Sequence, residues 1–143
     1  SSIEKWYEAI HYFRKAKSIE GDNIICLKFL AKAEFEIGNI ISSKELFNEA
    51  LKLNQNDKDI YLDYSFIYYS NDNLEKSIEI IENGINELPK ESILYYRLVI
   101  YLLKAGRYKE SISGTEQYNM DLSRRRALNV YRYLSEKYDR GSS

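Results

Sequence analysis

The chain contains one histidine, His11, and one cysteine, Cys26, the residue types that most often supply a base and a nucleophile at neutral pH. They fall on different predicted helices with no matching motif around either. His11 therefore reads as a surface or half-buried helix residue and Cys26 as a small packing residue. A lone cysteine forms no internal disulfide, and with a single histidine it builds no metal-ligand cluster, so neither a metal nor another cofactor is expected. The acidic residues spread along polar faces without a pair spaced as general acid and base. The glycines are isolated and form no phosphate-cradling loop. One dense basic run remains, Arg124-Arg125-Arg126. It reads either as an anion or carboxylate contact through Arg126, or as a solvated helix face with Arg126 bridging to a neighbouring acid. Three arginines near a helix start oppose the macrodipole, and Asp121 offsets part of that. The expectation is a binding protein and not an enzyme.

Composition narrows the partners. The 143 residues carry 21 Lys+Arg and 22 Asp+Glu, a net charge of -1, so no overall field recruits nucleic acid. No apolar run reaches the roughly 18 residues of a membrane span, and the opening SSIEKWYEAI lacks the regions of a signal peptide. A single cysteine agrees with a reducing, cytoplasmic setting. Ser1–Ser2 and Gly141–Ser143 look like trimmed or appended ends.

The elements that must position any site are helical. One proline and 6 glycines leave little punctuation for tight turns, and apolar residues recur at three and four, as in Ile24, Leu27, Leu30 and Ala31. The spacing predicts helices over 3–20, 24–37, 40–53, 58–71, 74–88 and 92–105, with a last one over 119–138. On the first, Trp6, Ala9, Ile10, Phe13, Ala16 and Ile19 are assigned to the apolar face. Gly21-Asp22-Asn23 ends it and caps the next, Gly38 ends the second, and Asn71-Asp72-Asn73 stands where the earlier pair has Gly38-Asn39.

Shifting Gly38–Asp57 by 34 residues in either direction returns the same plan. Small residues recur at Ala9, Ser43, Ser77 and Ser111, large ones at Phe13, Phe47 and Ile81, and small ones again at Ala16, Ala50 and Gly84. Pro89 closes a unit. A helix hairpin repeating at this period stacks to bury what two helices cannot cover alone. On these residues the chain, over 3–113, resembles the tetratricopeptide repeat family. That resemblance implies an all-α, right-handed αα-hairpin solenoid: a half-repeat helix over 3–23, repeats over 24–57 and 58–91, a modified repeat over 92–118 and a capping helix over 119–138.

The family's first helices line a concave groove that binds proteins or peptides. Its lining positions fall on Ile25, Lys28, Lys32, Phe35 and Glu36, then Asp59, Leu62, Phe66, Tyr69 and Ser70, then Ile93, Tyr96, Ile100, Leu103 and Lys104. Family members that clamp a C-terminal carboxylate do so with lysine, asparagine and arginine. Lys28 and Arg97 fit that pattern, whereas Lys32, Asp63 and Ile93 replace two asparagines and a lysine. The lining is instead apolar and aromatic, suited to an amphipathic helix or an extended apolar segment.

The register fails after Ser111, where Thr115 and Tyr118 take the large and small positions. SGTEQYNMDLSRRRALNVYRYLSEKY then resembles the G-x-x-x-Y-N-x-x-L-S-x-R-R-A-x-x-V-x-x-Y-L signature of peptidoglycan-binding domains of the outer-membrane-protein-A type. That family pairs the arginine before the alanine, here Arg126, with a peptidoglycan carboxylate, assisted by an aspartate where this chain has Ser111. Three readings follow: a peptide-binding scaffold with an open groove; a cell-envelope, periplasmic protein with a peptidoglycan-contacting tail; and an engineered or recombined chain whose tail fills its own groove.

Overall fold

The computed structural model describes residues 1–106 together with Asn129 and Tyr133. Six helices follow one another: α1 (Ser2–Glu20), α2 (Ile24–Glu36), α3 (Ile40–Leu53), α4 (Lys58–Ser70), α5 (Leu74–Glu87) and α6 (Ser92–Gly106). These bounds lie within a residue or so of those read from the apolar spacing. The second helix of the modified repeat, with Thr115 and Tyr118, lies outside the described residues, as does the body of the tail with Arg124, Arg125 and Arg126.

Local chemistry sets the helix ends. Asn23 caps α2 by accepting from the backbone N–H of Ile25 at 2.8 Å, and Asp57 caps α4 by accepting from that of Asp59 at 3.0 Å, each satisfying a donor the helix leaves open. Gly38, between α2 and α3, has φ 91, and Asp72, 34 residues later between α4 and α5, has φ 58. Aspartate is among the few side chains tolerated in that left-handed region, so the two turns keep one geometry with different residues.

The hairpins α2–α3 and α4–α5 each pack along their length, and α1 lies on α2. The first part of the core gathers Ile10, Leu27, Leu30, Phe47, Ile60 and Ile67, and the second Tyr61, Ile81, Leu94, Leu98 and Leu102. α4 supplies residues to both, and Tyr64 borders each. The core therefore runs through the stack without interruption. The small positions work as the spacing predicts: Ser43, Ala50, Ser77 and Gly84 are all buried where second helices approach first ones. Ser43 donates its hydroxyl across to the Ala31 carbonyl at 2.6 Å.

Ile19 departs from the expected apolar face and is 73% exposed, whereas Ile10 is 4% exposed. Steps of three residues from Phe13 through Ala16 to Ile19 fall roughly 60° short of a turn each, so Ile19 is carried round the helix into solvent.

Candidate functional site

The first helices α2, α4 and α6 touch one another directly, α2 on α4 and α4 on α6. Their facing side chains build an aromatic ladder. Phe35 meets Phe66 edge-on with centroids 6.0 Å apart, Phe66 stacks with Tyr69 at 6.2 Å, and Tyr69 stacks on Tyr101 at 4.9 Å. These separations fall within the range in which aromatic pairs attract. The ammonium of Lys104 lies 4.5 Å from the Tyr69 centroid, a cation–π contact.

Tyr101, 1% exposed, anchors the ladder from below. Its hydroxyl is 3.0 Å from the Ser65 hydroxyl and accepts from Arg97 Nη1 at 3.3 Å. Phe66 remains 43% exposed, and Ile100 and Leu103 are each 53% exposed. Phe35, Leu62, Tyr69 and Tyr96 are half-buried. The structure thus offers a rigid aromatic floor with apolar side chains projecting beside it, able to receive apolar side chains of a partner.

At the N-terminal ends of the same helices the groove is charged and internally paired. Lys28 Nζ lies 2.7 Å from Asp57 Oδ2 and 3.8 Å from Asp59 Oδ2. Burial pushes the Asp63 carboxyl above its ordinary value, outweighing the pull of Lys32, Lys28 and Arg97 in the other direction. Lys32 itself is exposed. A carboxylate clamp needs cations available to a ligand; here Lys28 is held by two aspartates and Arg97 is turned to Tyr101. Of the groove residues read from the sequence, Phe35, Phe66 and Tyr69 meet through their rings, while Lys28 is engaged by Asp57 and Asp59. Tyr101, the side chain that ties the ladder together, was not among them. Its register position signals only a core residue, and nothing local announces its stacking on Tyr69.

His11 and Cys26 are not arranged as a reactive pair. His11 is exposed and meets the Tyr12 ring edge-on at 5.3 Å. The Cys26 thiol donates to the Phe13 carbonyl at 3.1 Å, and burial raises its pKa, which keeps it the less nucleophilic thiol. Among the described residues no group of three or more His, Cys, Asp or Glu is placed to hold a metal ion, and no helix is long and apolar enough to cross a membrane.

Two cavities lie away from the groove, between successive second helices. One, of about 470 Å³, is lined by α1, α2 and α3. On its wall Glu34, 1% exposed, is ion-paired to Arg14 and accepts from Asn39 Nδ2 at 2.7 Å. The other, of about 350 Å³, is lined by α3, α4 and α5. Of the tail, Tyr133 is described: its ring stacks on Tyr95 of α6 at 4.9 Å. Tyr95 stands 34 residues after Tyr61, and both hydroxyls donate at 2.8 Å to a backbone carbonyl six residues earlier, of Pro89 and Gln55.

Stacked helix hairpins with first helices forming one continuous face define an αα-hairpin solenoid of the tetratricopeptide type. Two crystal structures of MamA share this fold, each with a TM-score of 0.70 and 19% sequence identity over 96% of this chain. The chain spans 66% of the length of one and 71% of the other. No family model matches the sequence, and no curated protein matches it.

Proposed function

We propose that the protein is a non-catalytic scaffold that binds an apolar segment of a partner protein along the face of α2, α4 and α6. The observation that carries this is the ladder from Phe35 to Tyr101, flanked by Ile100 and Leu103, each more than half exposed on a face that the fold holds rigid. Partly exposed aromatic residues with restricted motion are the usual anchors of protein interfaces. The internal pairing of Lys28 with Asp57 and Asp59 argues for recognition by apolar side chains over capture of a terminal carboxylate.

The tail has a second role in this reading. Tyr133 stacks at the register of α6 where, one repeat earlier, Tyr61 of α4 meets Gly84 of its own second helix. A tail contact there lies at the register that a second helix covers one repeat earlier, and in this reading it caps that end of the stack and leaves the ladder open to a partner. Nothing among the described residues supports a peptidoglycan contact, since Arg126 lies outside them.

Selection of displayed random peptides on the immobilised protein tests this. Enrichment of peptides with apolar residues at three- and four-residue spacing is the expected result. Enrichment of peptides that share only a C-terminal carboxylate would overturn it, and so would no enrichment at all.

A further inference from the structure

We propose that the outer face of α1 is a self-association surface, on which α1 of a second copy packs antiparallel and joins two chains end to end.

By register α1 is a second helix, and comparison with the other two shows what it leaves uncovered. Ser43, Leu46, Phe47 and Ala50 of α3 are all buried, as are Ser77, Ile80, Ile81 and Gly84 of α5, each set on a helix that packs along the first helix of its own hairpin. The same registers of α1 hold Ala9, Tyr12, Phe13 and Ala16. None of these four is buried, and Tyr12 is 63% exposed. Phe13 stacks on Phe29 of α2 at 5.6 Å, and Phe29 is itself 52% exposed, so apolar surface continues from α1 onto α2. A face with the makeup of the buried ones, left in solvent, marks an interaction surface.

The pattern along that face selects the partner. Lys5, Ala9, Tyr12, Ala16 and Ile19 alternate steps of four and three, the spacing of a two-helix seam, and the seam gives a use to the exposed Ile19. In an antiparallel pair Ala9 of each copy lies opposite Tyr12 of the other and Ser2 opposite Ile19, so small meets large and the backbones approach closely. Glu8 and Lys15, one heptad apart, border the same side of the seam. Both are exposed, and neither is ion-paired to another described residue. Antiparallel packing brings Glu8 of each copy beside Lys15 of the other, twice by the two-fold axis. Parallel packing would set Glu8 beside Phe13 and lay the two helix dipoles in the same direction. The apolar seam alone would accept any amphipathic helix; the reciprocal charges assign a second copy. The surface is independent of the peptide-binding reading, because the ladder lies on α2, α4 and α6.

Sedimentation equilibrium of the full chain tests the proposal. A reversible monomer–dimer equilibrium, with dimer abundant at about 200 µM, is expected. Tyr12→Asp and Glu8→Lys should each weaken association at least about tenfold. Glu8→Lys/Lys15→Glu restores the pairing across the axis and should return to within about threefold of the parent affinity. All three residues are exposed, so circular dichroism should show unchanged helicity in each variant. A chain that is monomeric at about 200 µM would leave the face to another occupant and overturn the proposal. So would a dimer indifferent to Tyr12→Asp, or one weakened by Glu8→Lys and not recovered in the double variant. A dimer broken instead by Ile100→Asp/Leu103→Asp would join the copies through the ladder face and overturn it equally.

Discussion

Asp63 is the residue at which the groove's electrostatics and the fold's stability oppose each other. Burial raises its pKa above the ordinary 3.8, so the charged carboxylate is less favourable in the folded chain than in the unfolded one. A group raised in this way favours folding below its unfolded pKa and loses that contribution as pH rises through the folded value. Asp63→Asn should therefore be more stable than the parent chain at about pH 7, with the difference shrinking as pH falls towards about 4; denaturant melts at the two pH values read this directly. An equal or larger gain at the lower pH would show that desolvation is not what shifts the group. Asn83→Ala carries a separate expectation: it exchanges a poor helix former for the best one and should stabilise the chain by about 0.5 kcal/mol, measurable as an increase in the denaturation midpoint. A loss of stability would mean that the Asn83 amide serves the fold.

Between elements, the repeat is kept by pairs that vary together. Leu27 of α2 and Ala50 of α3 occupy the registers that Tyr61 of α4 and Gly84 of α5 occupy one repeat later. A Cβ placed on Gly84 would come within 2.8 Å of Tyr61 Cγ and 3.1 Å of its Cβ, atoms too near the backbone to swing aside. Gly84→Ala should then destabilise the chain by about 1–3 kcal/mol through overpacking, despite alanine's better helix propensity. Adding Tyr61→Leu, which reproduces the first pair, should recover most of the loss in a double-mutant cycle; purely additive effects would contradict the contact.

The same comparison shows what was legible in the sequence. Helix ends could be read because glycine, asparagine and proline punctuate a fixed period, and the small–large–small series placed Ser43, Phe47 and Ala50 in the core. Ile19 was misassigned because three-residue steps drift around a helix. The groove positions were carried across by register, and the ladder was not visible that way, because Tyr69 and Tyr101 meet across helices that are not neighbours in sequence.

For the whole molecule, the stack separates two surfaces. The first helices present an aromatic, partly exposed face, and on the other side open clefts lie between successive hairpins. The core passes through α4 without a break, so both surfaces rest on the same packed helices. The central claim concerns the first surface. Ile100 and Leu103 are each 53% exposed, so replacing them with a charged residue leaves the core intact while spoiling an apolar contact. The direct measurement is calorimetric titration of a selected apolar peptide into the parent chain and into Ile100→Asp/Leu103→Asp. An apolar groove predicts at least about tenfold weaker binding to the variant with unchanged thermal unfolding. Equal affinity for both proteins would place the peptide elsewhere and contradict the account.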